Sequence, residues 1–167
     1  MLAATKPLLD LTAHDLMSTA VVTISEDMSL RAAARLLYQS SISGAPVVDK
    51  EGRCLGVLSA TDFVSWAGKD ETTAKAGPAS PCCVYSSWQV VDAEALPTDE
   101  VRGYMTADPV TVMPLTPVGE LARMMVDAHI HRVIVVDGQD RPVGIVSSTD
   151  ILAAVGYAAG KLCSWKG

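Results

Sequence analysis

The chain has 167 residues, 49% of them hydrophobic and 19% charged, which is enough apolar content to bury the core of one ordinary domain or two small ones and too much for a disordered chain. Its formal net charge is −6 and its Lys and Arg residues form no cluster, which argues against nucleic acid as a partner, because releasing counterions from phosphates needs concentrated positive charge. No apolar run approaches the roughly 18–20 residues of a membrane helix, and the opening MLAATKPLLDLTAHD lacks the apolar stretch of a signal peptide, so a cytoplasmic protein with no membrane partner is expected.

In chain order, residues 21–24 read as a short extended stretch. Leu30, Ala33, Ala34 and Leu37 then follow at the i, i+3, i+4, i+7 spacing of a helix with one buried face. Residues 46–48 predict a strand, the polar and glycine-containing stretch 49–53 a turn, and residues 55–58 a second strand. A last helix begins near Thr61. The stretch 76–81, AGPASP, is a loop by composition, and residues 87–91 suit an extra strand. A helix from Asp99 to Met105 is expected to lead into the second half, as residues 12–17 lead into the first.

From there the series recurs. Residues 110–112 are extended, and Val118, Leu121, Ala122 and Met125 repeat the helical spacing. Thr116 and Pro117 fit an N-cap followed by proline at the first helical position. Residues 134–136 and 143–146 predict strands around a turn at 137–141, and a helix starts near Thr149.

Residues 15–68 align with residues 103–156 without a gap, at a shift of 88. The identities include Met17/Met105, Arg35/Arg123, Asp49/Asp137, Gly56/Gly144, Ser59/Ser147, Thr61/Thr149 and Asp62/Asp150. A repeat of this kind defines the architecture. The expected organisation is repeat one at residues 10–68, an inter-repeat insert or linker at 69–102, and repeat two at 103–160. The insert is long enough that a functional or mobile segment is the natural reading. Each repeat is β-α-β-β-α, too small to be comfortable alone. The fold class is therefore α/β, two repeats packed sheet to sheet about a pseudo-two-fold axis.

Cys54, Cys82, Cys83 and Cys163 match neither a disulfide framework nor a zinc site. The adjacent Cys82 and Cys83 leave a thiol-based redox module as a minor reading. His129 and His131 have only Asp127 nearby with suitable chemistry, so no metal site is expected. Trp66, Trp88 and Trp165 read as packing or interface residues.

Several short motifs occur in order and twice. They are Met17-Ser18 and Met105-Thr106, Pro109 to Val112, Val-Val-Asp at 47–49 and 135–137, and the closing GVLSATD at 56–62 and GIVSSTD at 144–150. In these the chain resembles the tandem cystathionine-β-synthase (CBS) domain proteins, whose paired unit is called a Bateman module, over roughly residues 10–160. The resemblance implies a cleft between the repeats that takes AMP, ADP, ATP or a related adenosyl ligand. It implies that the closing Asp, here Asp62 and Asp150, holds ribose hydroxyls. It implies that Ser59, Thr61, Ser147 and Thr149 help hold ribose or phosphate, and that His131 and Arg132 contact phosphate. It also implies a homodimer.

The chemistry is consistent with those roles. A carboxylate has two acceptor oxygens for a vicinal diol, an arginine fork suits phosphate, and a helix N-terminus favours an anion. The same Ser-x-x-Asp spacing also fits a helix capping box. Repeat one has Ser43-Gly44 where repeat two has His131-Arg132. The Asp150 site is accordingly expected to be the stronger, with the Asp62 site weak, empty or used by a neutral ligand.

The chain shows no nucleophile–base constellation, Walker loop or dinucleotide fingerprint. The expectation is a stand-alone, non-catalytic regulatory module that binds an adenosine-containing ligand and signals to an unidentified partner protein. The alternative is a structural or oligomerising adaptor with a vestigial cleft.

Overall fold

The computed structural model describes residues 6–67 and 96–161. The elements run α1 (Ala13–Leu16), β1 (Ile24–Ser25), α2 (Leu30–Gln39), β2 (Gly44–Val48), β3 (Cys54–Ser59), α3 (Ala60–Ala67), β4 (Thr106–Ala107), β5 (Thr111–Val112), α4 (Val118–Asp127), β6 (Arg132–Val136), β7 (Pro142–Ser147) and α5 (Ser148–Ala158), with 3-10 turns at Leu8–Asp10 and Val101–Gly103. Both repeats therefore hold the expected β-α-β-β-α series. No helix among the described residues is long and apolar enough to cross a membrane. Residues 69–95 of the insert, with Cys82, Cys83, Trp88 and the strand expected at 87–91, lie outside the described residues, as do Cys163 and Trp165.

The chain divides into two compact units. The repeat-one unit is Val22–Asp108, and the repeat-two unit joins Met1–Val21 to Pro109–Gly167. Each builds its sheet in the same way. In the repeat-one unit, β1 pairs parallel with β2, β2 antiparallel with β3, and β3 antiparallel with β4. In the repeat-two unit, β5 pairs parallel with β6 and β6 antiparallel with β7. The helical spacing read from the sequence marks the packed faces. Leu30, Ala33, Ala34 and Leu37 are buried with Ile24, Val47 and Leu58 in one core, and Val118, Leu121 and Met125 with Val133, Val135 and Val146 in the other.

The two hairpin turns explain the repeated Val-Val-Asp. Asp49 Oδ1 accepts hydrogen bonds from the backbone N–H groups of Glu51 (2.9 Å) and Arg53 (2.8 Å). Asp137 Oδ1 does the same for Gln139 (2.8 Å) and Arg141 (3.0 Å). Asp side chains favour turns by this route. For Asp49, the hydrogen bonds and charge of Arg53 outweigh burial and hold its pKa below the usual carboxylate value. For Asp137, the backbone donors of Arg141 and Gln139 lower it.

Each repeat is entered through a segment that packs in the other's unit. Leu11 to Leu16 open repeat one but join the repeat-two unit: Ala13 N–H donates to Thr116 O (2.9 Å) and Val118 N–H to Leu11 O (2.8 Å). Asp99 to Val101 precede repeat two but join the repeat-one unit: Val101 N–H donates to Met28 O (2.8 Å) and Leu30 N–H to Asp99 O (2.9 Å). These bonds coincide under the 88-residue shift. They also correct the expected start of α4. The bridge Thr12↔Pro117 holds Pro117 extended, at ψ 149°, so the helix begins one residue later at Val118.

The exchange gives the repeated Met and Gly a shared purpose. A Cβ on Gly144 would overlap the Met17 side chain, standing 2.8 Å from its Cγ and 2.9 Å from its Cβ. A Cβ on Gly56 would stand 2.6 Å from Thr106 O and 2.9 Å from Met105 Sδ. Gly56 on β3 and Gly144 on β7 are each a seat for the methionine of the exchanged segment.

The helix expected from Asp99 to Met105 is instead the single 3-10 turn Val101–Gly103 followed by β4. In α1, Asp15 Oδ2 accepts hydrogen bonds from Thr12 N–H (2.9 Å) and Thr12 Oγ1 (2.8 Å). That closes the first turn as a capping box. At the matching position the other segment has Gly103, which supplies no such acceptor and has poor helix propensity.

Candidate functional site

The closing motif of each repeat runs from the end of the second hairpin strand, β3 or β7, into the first turn of a helix. In repeat two, Ser147 ends β7 and caps α5. Asp150 Oδ2 accepts from Ser147 N–H at 2.7 Å and from Ser147 Oγ at 2.5 Å, while Asp150 N–H donates back to Ser147 Oγ at 3.3 Å. In repeat one, Asp62 Oδ2 accepts from Ser59 N–H and from Ser59 Oγ, both at 2.7 Å. The capping geometry is thus present twice. One carboxylate oxygen of each Asp is committed to its own helix start, and the other is directed elsewhere.

The backbone brings His131 and Arg132 to this motif. Arg132 is the register partner of Ser147 across β6 and β7. Ser148 N–H donates to His131 O at 2.9 Å. His131, Arg132 and Thr149 are exposed and Ser147 and Asp150 half-buried. Cation, hydroxyls and carboxylate therefore gather at the N-terminus of α5, where unpaired N–H groups favour negative charge.

Repeat one keeps the same backbone with different side chains. Gly44 is the register partner of Ser59, and Ala60 N–H donates to Ser43 O at 2.9 Å. Ser43 and Gly44 bring no cation. The strands are close here, since a Cβ on Gly44 would lie 3.1 Å from Leu58 O and 3.2 Å from Ser59 Cα.

Two further contacts separate the sites. Thr106 Oγ1, on β4, donates to Asp62 Oδ1 at 2.9 Å. Ser59 Oγ and Thr61 Oγ1 lie 3.0 Å apart and share a hydrogen bond. Among the described residues nothing donates to Asp150 Oδ1 and nothing engages the Thr149 hydroxyl. The sequence position matching Thr106 is Ser18. It bridges β7 through paired backbone bonds with Ile145, both 3.0 Å, and is exposed. Sequence reasoning noted Met105-Thr106 as a motif but did not place Thr106 at a site. The signal was there in the hydroxyl residue that follows Met in both repeats. Among the described residues, no group of three or more His, Cys, Asp or Glu is placed to hold a metal ion.

The CBS domain model matches residues 13–69 and again residues 101–157. The homoserine O-acetyltransferase of Methanococcoides burtonii is 27% identical over 142 residues, covering 85% of this chain but 24% of that protein. This chain thus spans about a quarter of that enzyme's length. A CBS domain pair solved in complex with 5-methylthioadenosine and S-adenosyl-L-methionine superposes with a TM-score of 0.66 at 24% identity, covering 87% of this chain and 100% of the other. CBSX2, solved in complex with AMP, superposes with a TM-score of 0.67 at 20% identity, covering 89% and 98%. At these identities the two structures establish the shared fold.

Proposed function

Because the chain belongs to the CBS-domain family and carries the domain twice in tandem, we propose that it is a regulatory module that binds an adenosine-containing ligand on the Ser147–Asp150 motif of repeat two. The observation that carries this reading is the open half of Asp150. Its Oδ1 has no partner among the described residues, it stands beside the exposed Thr149 hydroxyl, and backbone pairing holds His131 and Arg132 alongside. A carboxylate oxygen suits the hydroxyls of a ribose, with each hydrogen bond to a charged group contributing about 1.5–3 kcal/mol. The helix N-terminus with Arg132 suits a phosphate. The presence of AMP, methylthioadenosine and S-adenosylmethionine in two solved pairs of this fold supports the adenosine class. AMP, ADP and ATP are the first choices because Arg132 brings a guanidinium and His131 a further donor to the motif.

The proposed role is non-catalytic. Ligand binding acts through its differential affinity for two conformations, which alters contact with a partner protein. Homodimerisation accords with exposed Leu152 and Val155 on α5 and Val126 on α4, apolar side chains of a kind that mark contact surfaces when grouped.

The test is ligand-induced thermal stabilisation of the wild type and Asp150→Ala by AMP, ADP, ATP and S-adenosylmethionine. Asp150→Ala removes the N3 acceptor of the capping box, so its unliganded stability falls by about 1 kcal/mol. The informative quantity is the shift each ligand adds. At about 100 times the dissociation constant a ligand adds roughly 2.7 kcal/mol to the wild type, and that gain disappears in Asp150→Ala. A gain that survives the substitution rejects the site. No gain with any ligand in the panel favours the adaptor.

A further inference from the structure

We propose that Thr106 keeps the Asp62 site of repeat one shut, its hydroxyl occupying the carboxylate oxygen that a ligand hydroxyl would otherwise take. This rests on the nucleotide reading of the closing motif and assigns the difference between its two copies to one side chain. Both Asp residues spend Oδ2 on their own capping serine. Asp62 then has its Oδ1 filled by Thr106 Oγ1 at 2.9 Å, while Ser59 and Thr61 satisfy each other at 3.0 Å. Every hydroxyl and both carboxylate oxygens of this copy are paired within the repeat-one unit.

Thr106 is not placed there by accident of side-chain rotation. It lies on β4, whose pairing fixes Val57 opposite Thr106 and Gly56 opposite Ala107. Gly56 admits the Thr106 carbonyl and Met105 against the strand, where a Cβ would come within 2.6 Å of that oxygen. The exchanged segment is therefore seated one residue before the threonine and aims it at Asp62. In repeat two the same segment ends in Ser18, which makes an isolated bridge rather than a strand and leaves Asp150 Oδ1 open among the described residues.

A ligand for the Asp62 site must displace an intramolecular donor from a charged acceptor. The displaced bond is strong enough to weaken binding by roughly ten- to hundredfold. Without a His-Arg pair, the ligand that the unmasked site takes is an uncharged vicinal diol such as adenosine, not a nucleotide.

The experiment is isothermal titration of the full chain with AMP and with adenosine, using wild type, Thr106→Val, Thr106→Ser, Asp150→Ala and the double variant Asp150→Ala/Thr106→Val. Valine keeps the β-branched shape and removes the hydroxyl. The expected result is one site per wild-type chain and two per Thr106→Val chain for adenosine, with Thr106→Ser remaining at one because it keeps the donor. The double variant binds adenosine through Asp62 where Asp150→Ala alone binds none. Unchanged stoichiometry in Thr106→Val overturns the gate, and so does a wild type that already fills two sites. The nucleotide reading fails by a different sign, AMP binding that Asp150→Ala leaves intact.

Discussion

Asp62 and Asp150 fold one oxygen onto equivalent serines, but only Asp62 has the other filled by a hydroxyl from an exchanged segment. The repeat-one unit also buries a charged side chain, Glu26, 5% exposed, in an ion pair with Arg102. The matching residues of the repeat-two unit are Pro114 and His14, which keep the backbone bond between them, His14 N–H to Pro114 O at 2.8 Å, without a carboxylate to pair. One backbone plan therefore carries two distributions of polar contacts. The repeat-one unit directs its side chains inward to hold its exchanged segment. Among the described residues, the repeat-two unit leaves Asp150 Oδ1 and the Thr149 hydroxyl open.

The largest effect expected from this difference is at the glycine seats. At Gly56 an added Cβ meets a backbone carbonyl, which yields only if β4 moves. At Gly144 it meets the Met17 side chain, whose Sδ and Cγ can rotate away but whose Cβ, 2.9 Å off, moves only with the backbone. Overpacking costs about 1–3 kcal/mol. Gly56→Ala is placed at about 3 kcal/mol and Gly144→Ala at about 2 kcal/mol, from the urea midpoints of the full chain. Equal losses would mean that both exchanged segments are held alike, and the comparison would collapse.

A smaller effect is expected at the buried charge. Removing Arg102 leaves Glu26 desolvated without its cation. Breaking a fully buried pair costs about 3–5 kcal/mol, but Arg102 is itself 63% exposed, so Arg102→Ala should cost about 2 kcal/mol. His14→Ala, its counterpart in the repeat-two unit, should stay within about 0.5 kcal/mol, as exposed substitutions do. A measurable loss at His14 would show that the unit relies on this position in a way its backbone bond does not explain.

Much of this architecture could be read from the chain. The 88-residue repeat and the helical spacing of Leu30, Ala33, Ala34 and Leu37 are local patterns with a fixed period, so they foretell helices, strands and buried faces. The grouping of Ser147, Asp150, His131 and Arg132 was an implication of the family resemblance, and the register of β6 and β7 sets their backbones side by side. What a linear reading could not supply was partnership at a distance. Met17 and Gly144 are identities in separate columns of the repeat, and nothing in a self-alignment says that one rests on the other. Thr106 is 44 residues from Asp62 and acts only because β4 pairs with β3. The misplaced helix at 99–105 has a local cause: its pattern matches residues 12–17 in apolar positions but carries Gly103 where the capping Asp15 stands.

That same Asp15 gives the third comparison, and the smallest effect. Burial raises its pKa, but this is outweighed by the hydrogen bond from Lys6 (2.9 Å), the N–H and hydroxyl of Thr12, and the Lys6 charge, which together lower it from 3.8 to about 2. A folded-state pKa below the unfolded value means that the stabilisation is complete above the unfolded value and is lost as pH falls from about 4 toward about 2. Lys6 is 55% exposed, so solvent screens the pair and the contribution is on the order of 1 kcal/mol. The repeat-one unit, with Gly103 at this position, has no equivalent. Unfolding free energy followed from about pH 6 to about pH 3 in wild type and Asp15→Asn isolates the contribution, since Asp49, Asp137 and the other carboxylates cancel in the difference. The two curves should converge as the solution is acidified. Parallel curves would show that α1 is held by its backbone bonds to Thr116 and Pro114 alone, and the two exchanged segments would then be anchored by one mechanism.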